Sequence, residues 1–199
     1  MNSTSARILS VLFHPVFMPF YAYLILLNSN SHISFLPFTY KLLILVCVII
    51  NTAFLPLIFL FILKKIKAVS SIELSNKRER LIPLLINTLP FMLTIVFFAK
   101  LRLPLIFLNV LRVGIYLLIF SAVISYWWKI SLHSMGIGAL VGFIFNAIEL
   151  GYLSTPMLLI SSIIVAGFLG SARLQQNEHT PIQVYLGFLL GISIMILVL

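Results

Sequence analysis

Residues Leu81–Trp128 read LIPLLINTLPFMLTIVFFA-KLR-LPLIFLNVLRVGIYLLIFSAVISYWW, two apolar runs parted only by Lys100-Leu101-Arg102. A helix that crosses a bilayer needs about 20 apolar residues. Leu81–Ala99 and Leu103–Trp128 are therefore each long enough on their own. The break between them is either a very tight hairpin or a bend in one longer segment. As two crossings they bring the chain to seven spans, and as one crossing to six. The sides on which all later loops emerge follow from that choice.

The remaining apolar runs are Ile8–Leu27, Leu42–Leu63, Ser134–Leu150, Tyr152–Gly170 and Pro181–Leu199. Lipid offers no hydrogen-bond partner, so each must be a helix that satisfies its own backbone. No run alternates with period two, which argues against a transmembrane barrel. The expected fold is all-α: a polytopic membrane bundle of six to seven helices, built as one integral membrane domain over residues 1–199.

Composition agrees. Of 199 residues, 62% are hydrophobic and 9% charged, and the mean hydropathy is +1.19. A soluble domain is about 45–50% apolar and about 25% charged, and no globule of this size could hide so much apolar surface. A soluble enzyme and a disordered chain are excluded on this ground. The net charge is +9. In this setting it points to anionic lipid headgroups or a phosphate substrate at the membrane surface, and not to nucleic acid. Cys47 is the single cysteine, so no intrachain disulfide can form. The first run has Arg7 before it, like a signal peptide. It is followed by Asn28-Ser29-Asn30-Ser31 in place of a small-residue cleavage site, so it is expected to be retained. Pro15, Pro19, Pro56 and Pro90 should kink their spans. The pairs Gly138/Gly142 and Gly187/Gly191 should let the fifth and seventh helices pack closely.

Polar segments are few. They are Lys64–Arg80, with Lys77, Arg78 and Arg80 at its end; Lys129–His133; and Ser171–Thr180. Two spans separate the first from the second, and two more separate the second from the third. With seven helices all three emerge on one side. Within them, Ser131 and His133 stand at the start of the fifth helix. His179 precedes Thr180, a plausible N-cap, and Pro181, which suits a first helical turn. Gln183 lies one turn further in. Two imidazoles, several cations and helix N-termini on one membrane face suit an anion such as phosphate.

These spacings resemble the type 2 phosphatidic acid phosphatase superfamily, the histidine lipid phosphatases related to vanadium haloperoxidases. The family's second motif, Pro-Ser-Gly-His, reads here Ile130-Ser131-Leu132-His133. Its third, Ser-Arg, five residues, His, three residues, Asp, reads Ala172-Arg173, five residues, His179, three residues, Gln183. The first motif is matched in residue types but not in spacing by Lys77-Arg78-Glu79-Arg80-Leu81-Ile82-Pro83. The resemblance covers a core of about residues 64–199 and implies a lipid phosphate phosphatase-like fold, without metal or other cofactor.

The resemblance also implies a mechanism. His179 would attack phosphorus and become a phosphohistidine. His133 would serve as acid and then base. Arg173 would hold phosphate oxygens, with Ser131 and Lys77 or Arg80 helping, and Gln183 would orient His179. The substrate would be a phosphomonoester or diphosphate on a lipid: phosphatidate, phosphatidylglycerol phosphate or an isoprenyl diphosphate. The expected location is a bacterial inner membrane. The family Asp carries a charge that Gln183 lacks, which motivates an alternative: a catalytically impaired relative that binds anionic lipid or assists membrane assembly. Arg112 and Glu149, each within an apolar run, could pair, or Arg112 could line a polar cavity. His14 could be a core residue or could border the site.

Arg7, Lys64, Lys65, Lys67, Lys77, Arg78, Arg80, Lys129 and Arg173 fall on the side of the three polar segments, and Lys41, Lys100 and Arg102 on the other. The positive-inside rule would make the first side cytoplasmic. With the five cations of the proposed site set aside, the bias is four to three. A bias of that size assigns neither side to the cytoplasm.

Overall fold

The computed structural model describes residues 2–71 and 77–199, apart from the side chains of Ser3, Lys77 and Arg78. Among the described residues there are helices and no strand. Seven helical segments are long and apolar enough to cross a membrane: Thr4–Leu27, Phe38–Lys65, Leu81–Lys100, Leu105–Trp127, Leu132–Glu149, Met157–Gln175 and Pro181–Val198. Large apolar side chains such as Phe61, Leu93, Leu105, Leu189 and Leu197 point outward. In water such a surface would aggregate; against lipid it costs nothing. The protein is an integral, multi-pass membrane protein.

The break at Lys100-Leu101-Arg102 is a hairpin. The third span ends in α6 (Thr88–Lys100) and the fourth is α7 (Leu105–Trp127). Arg102 takes φ 54. Its N–H bonds the Ala99 carbonyl at 3.0 Å, and the Leu103 N–H bonds the Phe98 carbonyl at 3.1 Å. This pair of reversed bonds closes a helix through a left-handed residue. Pro104 then starts α7 in the next direction. Three residues therefore turn the chain fully round.

Three of the four prolines expected to kink their spans leave a mark. The first span splits into α1 (Ser3–Leu12) and α2 (Met18–Leu27) around Pro15, with His14 held extended before it, as a residue preceding proline must be. Pro19 falls in the first turn of α2, where a missing N–H breaks no helical bond. The second span is α3 (Phe38–Ile49) and α4 (Leu55–Lys65) joined by a π-helical turn at Ile50–Phe54. The turn absorbs the hydrogen bond that Pro56 cannot make. The third span breaks between α5 (Leu81–Ile86) and α6, at the carbonyl Pro90 would strike.

The last three spans are α8 (Leu132–Glu149), α9 (Met157–Gln175) and α10 (Pro181–Val198). Helix α8 is the central one, and α10 lies along it with almost no side chain between the backbones. A Cβ at Gly138 would strike the Phe188 carbonyl, one at Gly191 the Met135 carbonyl, and one at Gly187 would come to 2.8 Å from the Ser131 carbonyl. The small residues pack these helices as expected. A backbone bond from Ser131 N–H to the Gln183 carbonyl, 3.4 Å, ties their starts together. Arg112 is exposed on α7 and donates to Asn109 Oδ1 at 2.7 Å, a partner on its own helix in place of Glu149.

Candidate functional site

The three polar segments meet at one end of the bundle. Arg80, buried at 5% exposure, donates from a terminal guanidinium nitrogen to the Ile130 carbonyl at 3.2 Å, which joins the first segment to the second. Lys129 pairs with Glu178 at 3.1 Å, which joins the second to the third. Beneath them lies a cavity of about 1000 Å³. His133, Arg173 and His179 all line it, and so does Arg80. The residues expected to act on a phosphate group are thus brought together around one space.

His179 sits just before the capping box of α10, in which the Thr180 hydroxyl and the Gln183 amide bond reciprocally with the backbone. Gln183 Oε1 accepts the Thr180 N–H at 3.1 Å, which fixes that atom as oxygen. The same oxygen lies 3.1 Å from His179 Nδ1. An amide oxygen only accepts, so Nδ1 carries the proton and Nε2 the lone pair. Burial pushes the His179 imidazole down to about 4. The Gln183 bond opposes that shift, and the charges of Arg173, Lys129 and Arg80 add to it. At neutral pH the ring is an uncharged base with Nε2 free for attack.

His133 opens α8. Its Nε2 is 3.1 Å from the Ser10 carbonyl, so Nε2 holds a proton and Nδ1 is the nitrogen left to exchange one. Arg173, in the last turn of α9, donates to Gln176 Oε1 at 2.8 Å and to Ser10 Oγ at 3.5 Å. Burial would raise the Glu178 carboxyl, but its bond to Lys129 and the positive charges of Lys129 and Arg173 carry it below its ordinary value. Glu178 is therefore ionised, one carboxylate among Arg7, Arg80, Lys129 and Arg173. The field at the mouth favours an anion.

Two expected phosphate ligands stand differently. Ser131 is fully buried and does not line the cavity: its Oγ accepts the Ser134 N–H at 3.3 Å and bonds the Ser134 hydroxyl at 2.9 Å. It caps α8, because a serine directly before a helix finds the free N–H groups of the first turn closer than any ligand. The Lys77 side chain lies outside the described residues. Gln183 faces a smaller hollow of about 400 Å³ that His179 also borders.

The structure adds Ser10 and Asn87, which the sequence did not single out, to the cavity lining; His14, read as either a core residue or a border of the site, lines it too. The His14 ring meets the His133 ring edge-on, with centroids 5.0 Å apart. Asn87 is 6% exposed, and its Oδ1 has no hydrogen-bond partner among the described residues. Below this polar end the walls are apolar: Met18, Ala22, Phe91, Val110, Leu140 and Met195. Along α7 the lining runs from Ser121 to Val110, about 16 Å at 1.5 Å per residue. Among the described residues no group of three or more His, Cys, Asp or Glu is gathered that could hold a metal ion.

Compared with protein-family models, with curated proteins and with solved structures, the chain matches none.

Proposed function

We propose that this protein is a lipid phosphate phosphatase-like hydrolase that removes phosphate from a membrane lipid through a phosphohistidine. The observation that carries the reading is the cavity itself. Its mouth holds an uncharged His179 with Nε2 free, a second imidazole and two buried or half-buried guanidinium groups. Its depth is apolar over about half the thickness of a bilayer's hydrocarbon core. A phosphate head and a hydrocarbon tail match those two halves.

The chemistry runs in two displacements. The Nε2 lone pair of His179 attacks phosphorus, and the bond from phosphorus to the lipid oxygen breaks. His133 enters this step doubly protonated, with Nε2–H on the Ser10 carbonyl; the leaving oxygen takes its Nδ1 proton and leaves the ring neutral. His133 then removes a proton from water, the resulting hydroxide attacks the phosphohistidine, and His179 leaves with its lone pair restored. Arg173 and Arg80 carry the charge that builds on the equatorial oxygens. Gln183 holds Nδ1–H and so keeps the correct nitrogen toward phosphorus.

The test is phosphate release from phosphatidate, phosphatidylglycerol phosphate and isoprenyl diphosphate in detergent, with His179→Ala alongside. Turnover that the substitution abolishes supports the proposal. A wild type inert across the panel, or a variant equally active, sinks it. Inertness combined with orthovanadate binding that depends on Arg173 would favour the second reading, an anionic-lipid binder, for which the uncharged Gln183 speaks.

A further inference from the structure

The N-terminal helix α1 lines the cavity with Ala6, Arg7, Ser10 and Val11, and Ser10 is the one that bonds to the site's His133 and Arg173. Proline at position 15 ends α1 at Leu12, and the last four carbonyls of a helix lack partners within it. Three are taken locally or by the next helix: Leu9 by the Phe13 N–H, Val11 by the His14 N–H, and Leu12 by the Tyr21 hydroxyl. The fourth, Ser10, is taken by His133 Nε2 at 3.1 Å. The Ser10 side chain is used just as fully. Its hydroxyl donates back to the Ala6 carbonyl at 3.0 Å. That turns both oxygen lone pairs outward, and they accept from Arg173 at 3.5 Å and from Gln176 Nε2 at 3.2 Å. A hydroxyl has one proton to give and two lone pairs to offer, and here all three are spent. Ser10 is 7% exposed and lines the cavity, where such an arrangement is held without competition from bulk water.

We infer that Ser10 is a positioning residue of the site: its hydroxyl sets the Arg173 guanidinium while its carbonyl sets the His133 ring. One residue thus fixes the distance between the group that holds phosphate and the group that moves the proton. The inference rests on the reading of the cavity as a phosphate site. It also makes α1 part of that site. Arg173 keeps its bond to Gln176 Oε1 whether or not Ser10 is present, so loss of the hydroxyl alters aim more than it removes charge.

The experiment measures orthovanadate binding, kcat and KM on a short-chain lipid phosphate, and thermal melting, for the full-length protein in detergent. Ser10→Ala should weaken orthovanadate about tenfold, the scale of one hydrogen bond to a charged group. KM should rise more than kcat falls, because His133 is held by the backbone carbonyl, which alanine retains. Ser10→Thr keeps the hydroxyl and should return binding to within about twofold. Should Ser10→Ala melt out of the detergent, Gln176→Leu breaks the same network from its other end and should weaken orthovanadate severalfold. Unchanged binding in Ser10→Ala, or in Gln176→Leu where that variant must serve, overturns the inference. So does a Ser10→Thr variant as weak as alanine. A wild type that binds orthovanadate in a Ser10-dependent way but turns over no lipid phosphate removes the proposed function and leaves the positioning role standing. A wild type that neither binds nor turns over removes both.

Discussion

Replacing Gln183 by Glu should convert this site from a weak to a strong one. The substitution keeps the length of the side chain and the capping box, in which glutamate is as welcome as glutamine. It places a carboxylate oxygen where Oε1 now lies, 3.1 Å from His179 Nδ1. An opposite charge this close raises an imidazole pKa by roughly 1–3 units, taking His179 from about 4 to roughly 5–7. The same interaction stabilises the positive charge that His179 acquires as it attacks phosphorus. Each unit is about 1.4 kcal/mol, so the barrier should fall by about 1.4–4 kcal/mol and the rate rise about 10- to 1000-fold. That lies inside the roughly 10⁴-fold effect of the orienting Asp in a serine-protease triad. The assay is phosphate release at pH 7, with the His179 ring titrated by NMR in detergent. An unshifted His179 and unchanged turnover would mean that Gln183 does not orient this ring in solution. A raised pKa without faster turnover would remove His179 as the nucleophile.

Other perturbations test other parts of the structure. Gly191→Ala would put a methyl group against the Met135 carbonyl, where backbone cannot yield, and should cost about 2–3 kcal/mol; a neutral effect on melting would mean that α8 and α10 pack less closely than described. The unfolded His179 titrates near its ordinary 6.5 and the folded one near 4, so the unfolded chain binds more protons between those values. Stability should therefore decline as pH falls from 6.5 toward 4, and a His179→Gln variant should show a shallower decline in the same melting series. Glu178→Gln breaks an ion pair whose side chains are 23% and 37% exposed, so stability should change by less than about 1 kcal/mol. Orthovanadate affinity at low salt should rise severalfold, because one negative charge leaves the mouth; a fall in affinity would contradict the charge argument.

Local pattern carried much of this protein. Run length and polarity were enough for six to seven helices, because a backbone in lipid has no alternative way to satisfy its hydrogen bonds; the hairpin at Lys100-Leu101-Arg102 made the count seven. Helix parity then placed the Lys64–Arg80, Lys129–His133 and Ser171–Thr180 segments on one side, and the ties from Arg80 to Ile130 and from Lys129 to Glu178 follow from that placement. The contact between His179 and Gln183 was readable as well, since four residues across a helix start are neighbours whatever the rest of the chain does. The glycine pairs of α8 and α10 announced a close approach for a similarly local reason. Where local reading went astray, a nearer partner was overlooked. Ser131 caps its own helix, and Arg112 bonds Asn109 three residues away.

What the tertiary structure alone decided is the part played by α1. Ser10 lies 163 positions from Arg173 and 123 from His133, and apart from His14 the run Ile8–Leu27 carries no sign that it walls a site. The carbonyl that holds His133 is free only because Pro15 stops the helix, and it reaches that ring only because α1 packs against α9. Hydropathy dictates that a segment enters the membrane, since that depends on composition summed along one helix. Which helices touch, and which polar atoms they turn toward one another, depends on shape matched between helices far apart in the chain.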